Sequence, residues 1–197
     1  IRTGAIVEEV IVEDGAARGV RLAGGEEIRS ALVVSNADPK RTFSTLVRPE
    51  DAPDDVRKAR GMKTRVSSLV FSAALSELPD FSRFLGAGYD RRSVPYPAIA
   101  PSVDYYLSAW SDTINGRWSR SPLLAMRIPS ILDPSIAPKD QHLFTIWSTY
   151  QPARLAEGTW DEAREEVGEY IIDMVTEYAP NFRQSIIEWS LQTPEDI

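Results

Sequence analysis

The sequence predicts an α/β chain in which a three-stranded β-meander is followed by a larger unit built from one sheet and flanking helices. The meander is indicated by β-branched segments separated by the turn pairs Asp14-Gly15 and Gly24-Gly25. The larger unit is indicated by later segments of alternating polarity and by two helices with capping residues and apolar stripes.

The meander is expected to use segments 6–13, 18–23 and 27–34. The end of the third segment, Ala31 to Val34, is apolar at consecutive positions, which is typical of a strand covered on both faces. We therefore expect residues 31–34 to join a larger parallel sheet that lies outside this chain. Pro39 then suits the first turn of a short helix that runs to about Leu46.

The larger unit contains four strand-like segments, which predict one antiparallel or mixed sheet. These segments are 65–75, 123–128, 142–150 and 184–191. An exposed, charged helix is expected near 54–60, before the first of them.

Two further helices are expected to cover one face of this sheet with their apolar stripes. Ser102 can cap the first helix, which should end at Asn115-Gly116. Thr159 and Glu162 have capping-box spacing at the start of the second, which should end before Pro180. The stripes are Val103, Tyr106, Leu107, Trp110 and Ile114 in the first helix, and Trp160, Ala163, Val167, Tyr170, Ile171, Met174, Val175 and Tyr178 in the second.

The composition is that of a globular protein and excludes several functions. The chain has 197 residues, no cysteine, one histidine and a formal net charge of -7. Its Lys and Arg residues are scattered singly, so the basic stripe that nucleic-acid binding requires is missing. Without cysteine the chain can form no disulfide, which is compatible with a reducing cytoplasm. No apolar run approaches the roughly 18 to 20 residues that span a bilayer, so no transmembrane segment is expected.

No residue pattern in the sequence forms a catalytic constellation or a metal site. His142 begins a strand without a second histidine, which favours a structural role over a base or a metal ligand. Gly86-Ala87-Gly88 is interpreted as a loop, because the third glycine of a dinucleotide motif would fall on Arg91. An acidic row could bind a metal, but it lies opposite an apolar stripe, as a solvated helix face does. The row is Glu162, Glu165, Glu166, Glu169, Asp173 and Glu177.

Eight aromatic residues could line an apolar ligand cavity, although their helix and strand periods place most of them in the expected core. They are Tyr96, Tyr105, Tyr106, Trp110, Trp118, Trp147, Tyr150 and Trp189.

Three segments near the start, 4–10, 14–22 and 33–39, resemble in order and spacing the second half of the flavin domain in phytoene dehydrogenase-like (carotenoid desaturase-type) FAD-dependent oxidoreductases. The third of them reads Val-Val-Ser-Asn-Ala-Asp-Pro. The resemblance implies that the first strand offers backbone N–H and C=O groups at Val7 to the FAD adenine. It also implies that the turn from Ser35 to Pro39 leads out of the flavin domain. The implied cofactor-binding residues are Val7, Ser35, Asn36 and Ala37.

A second group of segments, 128–138, 147–152 and 178–182, resembles the substrate domain of the pyridine nucleotide-disulphide oxidoreductase domain-containing branch of that family. The resemblance implies that residues 1–39 are a remnant of an FAD-binding domain and that residues 40–197 form a substrate-binding domain. The intact protein would then use FAD to oxidise or desaturate an apolar small-molecule substrate. The alternative is a non-enzymatic module that binds an apolar ligand or a protein partner.

The family's Gly-rich pyrophosphate loop is absent from this sequence. We therefore expect an internal fragment that does not retain FAD and is inactive on its own. We also expect a cytoplasmic location, with peripheral membrane contact as an option, and homo-oligomer formation through the exposed N-terminal strands.

Overall fold

A computed structural model describes residues 1–57, 61 and 63–197. Within this part the chain forms two compact units, Ile1–Lys63 and Thr64–Ile197. The expected α/β class is confirmed, since one unit holds a three-stranded sheet and the other a five-stranded sheet with helices. The family-based domain boundary after Pro39 stays a prediction.

The first unit is an antiparallel meander followed by a short helical segment. Its strands, in spatial as well as chain order, are β1 (Val7–Glu13), β2 (Ala16–Leu22) and β3 (Glu27–Arg29). Asp14 and Gly15 have φ values of 52° and 73°, the left-handed pair of a type I′ turn, so the predicted first turn is confirmed. Helix α1 (Pro39–Arg41) is capped by Asp38 and continues as a π-helical turn over Thr42–Leu46, as expected. Of the charged helix expected over 54–60, α2 (Asp54–Arg57) is observed, and 58–60 lie outside the described residues.

The strand predicted over residues 31–34 is wrong. β3 ends at Arg29, and residues 31–34 form no strand pairing. Val33 packs against the buried cluster of Val10, Val47 and Ala52, whereas Leu32 and Val34 are 73% and 84% exposed. The segment is therefore covered on one side only, and no described residue supplies the partner strand that its double-sided apolar pattern requires.

The second unit is built on a five-stranded sheet in the order β5-β6-β7-β4-β8. The strands are β4 (Val66–Leu75), β5 (Ala98–Ile99), β6 (Leu123–Arg127), β7 (His142–Pro152) and β8 (Ile186–Gln192). The four predicted strands are confirmed within a few residues, while β5, at two residues, is too short to leave a periodic pattern. Every pairing is antiparallel, so the antiparallel alternative forms rather than a mixed sheet.

One face of this sheet is covered by the longest helix of the unit. The helices are α3 (Ser82–Leu85), α4 (Val103–Ile114), α5 (Trp160–Tyr178) and α6 (Phe182–Ser185). The predicted capping box of α5 is confirmed, because Glu162 N–H donates to Thr159 Oγ1 at 3.3 Å and Thr159 N–H donates to a Glu162 carboxylate oxygen at 2.8 Å. Trp160, Val167, Ile171 and Val175 of α5 join the core with alternate residues of β4, while Tyr170 is only half-buried. No helix within the described residues is long and apolar enough to cross a membrane.

Helix α4 forms where predicted, with Ser102 Oγ accepting from Tyr105 N–H at 3.2 Å, but the expected burial of its apolar stripe is wrong. The helix turns Ala109 and Thr113 inward, and Thr113 Oγ1 contacts the Tyr150 carbonyl oxygen of β7. These small residues allow a close approach of the helix to β7. The larger apolar side chains, from Val103 to Ile114, consequently stay exposed.

Candidate functional site

The face of the five-stranded sheet opposite α5 is the candidate functional site. Along β4, Leu69, Phe71, Ala73 and Leu75 are buried beneath the helices, whereas the alternate residues are half-buried. We call the open face these alternate positions together with the five residues of β6, β7 and β8 named next, which lie beside them on the same side of the sheet. The open face comprises Val66, Ser68, Val70, Ser72 and Ala74 of β4, Ala125 of β6, Thr145, Trp147 and Thr149 of β7, and Ser190 of β8.

Trp147 lies at the centre of the open face. Directly opposite it are Val70 on β4 and Ala125 on β6. Because both neighbours are small, the indole ring rises above them and is 44% exposed. A large exposed aromatic between small side chains provides a contact surface for a flat or extended apolar molecule.

The open face carries no charge in its interior. The nearest charged positions in register are Arg127, which pairs with Thr145, and Glu188, which pairs with Ala74. Its serine and threonine hydroxyls form no hydrogen bond with the described part of the chain, so they remain available to solvent or a ligand. This arrangement can bind an apolar molecule and orient it through a few hydroxyls, but it contains no paired acid and base.

A cleft of about 390 Å³ lies where the start of β4 meets the second half of α4, and we call it the β4–α4 cleft. Val66 of the open face, Pro152 of β7, and Trp110 and Ile114 of α4 form its apolar walls. Tyr150, with a left-handed φ of 60°, points its ring to the same helix face, at 6.1 Å between its centroid and that of Trp110. Remaining lining residues are Thr64, Arg65, Thr113, Gly116 and Arg154.

The predicted cofactor residues all lie in the first unit, where a second cleft of about 430 Å³ is found. Ser35 and Ala37 line this cleft, with Ser35 Oγ 2.9 Å from Thr42 Oγ1. Asn36 is exposed and does not line it, and neither does Val7, which begins the edge strand β1. The structure therefore brings together two of the four residues.

The walls of this first-unit cleft are mostly apolar, with Val10, Val12 and Val33 among them. Among the described residues that line it, only Asp51 is charged, and its carboxylate accepts a hydrogen bond from the Arg48 guanidinium at 2.8 Å. The cleft therefore suits a flat, uncharged group such as an adenine ring, and none of the described residues that line it is a cation that could bind a pyrophosphate.

Four of the six residues in the acidic row of α5 form local interactions. Glu162 completes the capping box, Glu166 pairs with Arg120 at 3.0 Å, and Arg183 bridges Glu169 and Asp173 at 2.9 and 2.8 Å. Across the described residues no group of three or more carboxylate or histidine side chains is arranged to hold a metal ion.

His142 has a structural environment at the start of β7. Ser130 Oγ accepts a hydrogen bond from Leu143 N–H at 3.1 Å and lies 3.3 Å from His142 Nδ1. Partial burial, and secondly the nearby Arg92, lower the pKa of His142 below its ordinary value. The imidazole is therefore neutral near pH 7 and ties the strand to the preceding turn.

The expectation that most of the eight aromatic residues belong to the core is wrong. Tyr96, Tyr106, Trp110 and Trp147 are exposed, and the other four are half-buried. Trp118 and Tyr170, for example, pack edge to face at 5.3 Å between centroids while Arg120 covers the Trp118 ring.

The alternation of β4 signalled two faces, but Arg65, Val66 and Arg154 carried no sequence signal for a cleft.

Comparisons with known proteins show what this arrangement is related to. No family model matches the chain. Pyridine nucleotide-disulfide oxidoreductase domain-containing protein 2 from Rattus norvegicus is 31% identical over 191 residues, which cover 93% of this chain and 33% of that protein. Phytoene desaturase (neurosporene-forming) from Cereibacter sphaeroides is 28% identical over 193 residues, covering 96% of this chain and 35% of that protein.

One further relative and one solved structure are also similar to the chain. Prolycopene isomerase 2, chloroplastic, from an Oncidium hybrid cultivar is 26% identical over 197 residues, covering 96% of this chain and 30% of that protein. The crystal structure of an oxidoreductase from Methanosarcina mazei superposes with a TM-score of 0.53 at 15% identity, covering 95% of this chain and 36% of that one. At that identity it shows the shared fold alone.

The relatives that match nearly the whole chain carry the names of an oxidoreductase domain-containing protein and a desaturase, which indicates an oxidoreductase/desaturase family. The predicted resemblance to the phytoene dehydrogenase-like family is confirmed, because phytoene desaturase and pyridine nucleotide-disulfide oxidoreductase domain-containing protein 2 are its homologues. The chain spans about a third of the length of the curated relatives it matches.

Proposed function

We propose that this chain contributes the substrate-binding part of an FAD-dependent oxidoreductase that oxidises or desaturates an apolar small molecule. The observation that carries the proposal is the uncharged open face with Trp147 at its centre. An exposed tryptophan among small apolar and hydroxyl side chains offers a contact surface for a ligand or partner. Homology to phytoene desaturase, whose name denotes a hydrocarbon substrate, favours an apolar ligand.

The cofactor part of the proposal concerns the first unit. Val7, Ser35, Asn36 and Ala37 are proposed to contact the adenine end of FAD, with Ser35 and Ala37 acting at the apolar cleft. When bound, the flavin supplies hydride acceptance, while the protein supplies binding and orientation. An open face without an acid and base pair is compatible with this division of roles.

Because the sequence lacks the Gly-rich pyrophosphate loop, and no described residue lining the first-unit cleft is a cation, the chain by itself is expected to bind FAD weakly and to purify colourless. Absorption spectra of the purified chain, before and after addition of FAD and gel filtration, measure this directly. Stoichiometric flavin absorbance retained after gel filtration would contradict it.

The cytoplasmic location also stays a proposal, which cell fractionation tests.

Substrate binding is tested by titrating the chain with phytoene in detergent micelles and following the quenching of tryptophan fluorescence. Trp147→Ala removes the central contact and should weaken binding by about tenfold, as expected for loss of a large apolar anchor. Phe84→Ala is the matched control, since Phe84 is 58% exposed but stacks on Tyr178 of α5, away from the open face. Equal loss in the two variants, or no binding by the unmodified chain, would refute the proposed role of the open face.

A further inference from the structure

Unlike the open face, the β4–α4 cleft has charged residues in its lining. Its walls are apolar, but Arg65 and Arg154 stand among its lining residues, and both are exposed. The backbone holds the two arginines together, because Ala153 N–H donates to the Arg65 carbonyl oxygen at 3.0 Å. Two arginine residues thus line a pocket whose other walls are largely apolar.

Neither arginine is neutralised within the described residues, where no ion pair includes Arg65 or Arg154. This is notable because the chain holds 29 acidic residues against 22 basic ones, so carboxylate partners are abundant. Elsewhere in the unit, Arg164 and Arg183 each bind two carboxylates. Two unpaired guanidinium groups repel each other and complement an incoming anion.

The size of the cleft limits what can enter it. A volume of about 390 Å³ lies near the lower end of the range for small-molecule sites, so a single chain fits better than a bulky lipid. Trp110 and Ile114 are 44% and 62% exposed, which leaves apolar surface for the chain to cover.

We propose that the β4–α4 cleft binds a long-chain carboxylate, with the apolar chain against Trp110, Ile114, Val66 and Pro152 and the carboxylate between Arg65 and Arg154. The inference goes beyond the proposed function, because it assigns a ligand with an anionic end to a cleft at the border of the open face. Arg guanidinium groups match a carboxylate in both charge and planar geometry.

The test compares dodecanoate with dodecanol, below their aggregation concentrations, by calorimetric titration of the full chain. Dodecanoate should bind about tenfold more tightly, which corresponds to one charge-assisted hydrogen bond gained. Arg154→Gln and Arg65→Gln should each remove most of this preference without changing dodecanol binding. Arg127→Gln is the matched control, because Arg127 is exposed, is in no ion pair of the described chain and lies at the other end of the sheet.

A second readout locates the ligand. In two-dimensional NMR spectra the indole N–H of Trp110 should shift on addition of dodecanoate, while that of Trp189, which stacks on Phe71 and does not line the cleft, should not. Equal affinity for dodecanoate and dodecanol, or a preference that survives both arginine substitutions, would overturn the inference. So would binding to phosphatidylglycerol vesicles without binding to monomeric dodecanoate, which would identify a membrane surface instead. None of these results affects phytoene binding at Trp147, so the two proposals fail separately.

Discussion

Gly168 of α5 lies directly against the indole ring of Trp189, so that a Cβ atom added at Gly168 would lie 2.3 Å from Trp189 Cη2. The Trp189 ring in turn stacks on Phe71 of β4, with 5.6 Å between ring centroids. The helix therefore reaches the covered face of the sheet only because position 168 lacks a side chain. This contact places α5 on one face and leaves the other face open.

Gly168→Ala should consequently destabilise the chain. The substitution improves helix propensity by about 1 kcal/mol, but overpacking against a ring that is already stacked costs about 1 to 3 kcal/mol, so we expect a net loss near 1 kcal/mol. Urea unfolding followed by circular dichroism measures it. Gly88→Ala is the control, since an added Cβ there meets no atom within 4 Å. A stabilised Gly168→Ala variant would show that the contact is looser than described.

Trp160 is the largest fully buried side chain of α5. Its side chain is fully buried, and Nε1 donates to the Pro152 carbonyl oxygen at 3.1 Å. Trp160→Ala should reduce the free energy of unfolding by about 3 to 5 kcal/mol. Trp110→Ala, at a position that is 44% exposed, should cost far less. Similar unfolding midpoints for the two variants would contradict the assigned orientation of α5.

Asp196 should make stability depend on pH. The Arg164 guanidinium donates to the Asp196 carboxylate at 2.7 Å, as does Thr193 N–H at 2.7 Å, and these bonds hold the pKa of Asp196 well below its ordinary value. A carboxylate with a lowered folded-state pKa stabilises the fold above the unfolded value of about 3.9 and loses that contribution as pH falls below it.

The Asp196→Asn variant should therefore be less stable than the parent chain at neutral pH, and the difference should shrink toward about pH 2. Urea midpoints across this range measure the effect. Glu165→Gln, at an exposed position of α5, serves as the control. Parallel pH profiles for the parent chain and Asp196→Asn would refute the assigned role of the Arg164–Asp196 pair.

Self-association through the N-terminal segment remains a prediction. Leu32 and Val34 are 73% and 84% exposed beside a three-stranded sheet with two open edges. Exposed apolar side chains next to strand edges favour pairing between chains. Sedimentation velocity at several concentrations should show a dimer or larger species, and the double substitution Leu32→Ser and Val34→Ser should shift it toward monomer. A parent chain that sediments as a monomer at every concentration would exclude this interface.

Local signals predicted much of the fold. The Asp14-Gly15 turn, the Ser102 cap and the Thr159–Glu162 capping box act over a few residues, and all three form as expected. The predictions that were wrong concern features that depend on tertiary packing. The stripe of α4 reads as a buried face, but close approach of the helix to β7 selects Ala109 and Thr113 instead.

The candidate site was predictable only in part. The alternation of β4 identified two faces, and the exposed one could be assigned only when α5 was seen to cover the other. The β4–α4 cleft joins Arg65 to Trp110, residues brought together by strand pairing and helix packing that no short motif encodes. The resemblance to a flavoprotein family gave cofactor positions that local patterns do not contain.

The most direct test of the open face as the substrate surface is a methyl NMR footprint of phytoene binding in detergent micelles. Residues alternate in orientation along β4, so the methyl signals of Val66, Val70 and Ala74 should shift, while those of Leu69, Ala73 and Leu75 should stay unchanged. This period-two pattern along one strand is the result that the account predicts. Shifts spread over both sets, or confined to the buried set, would contradict it.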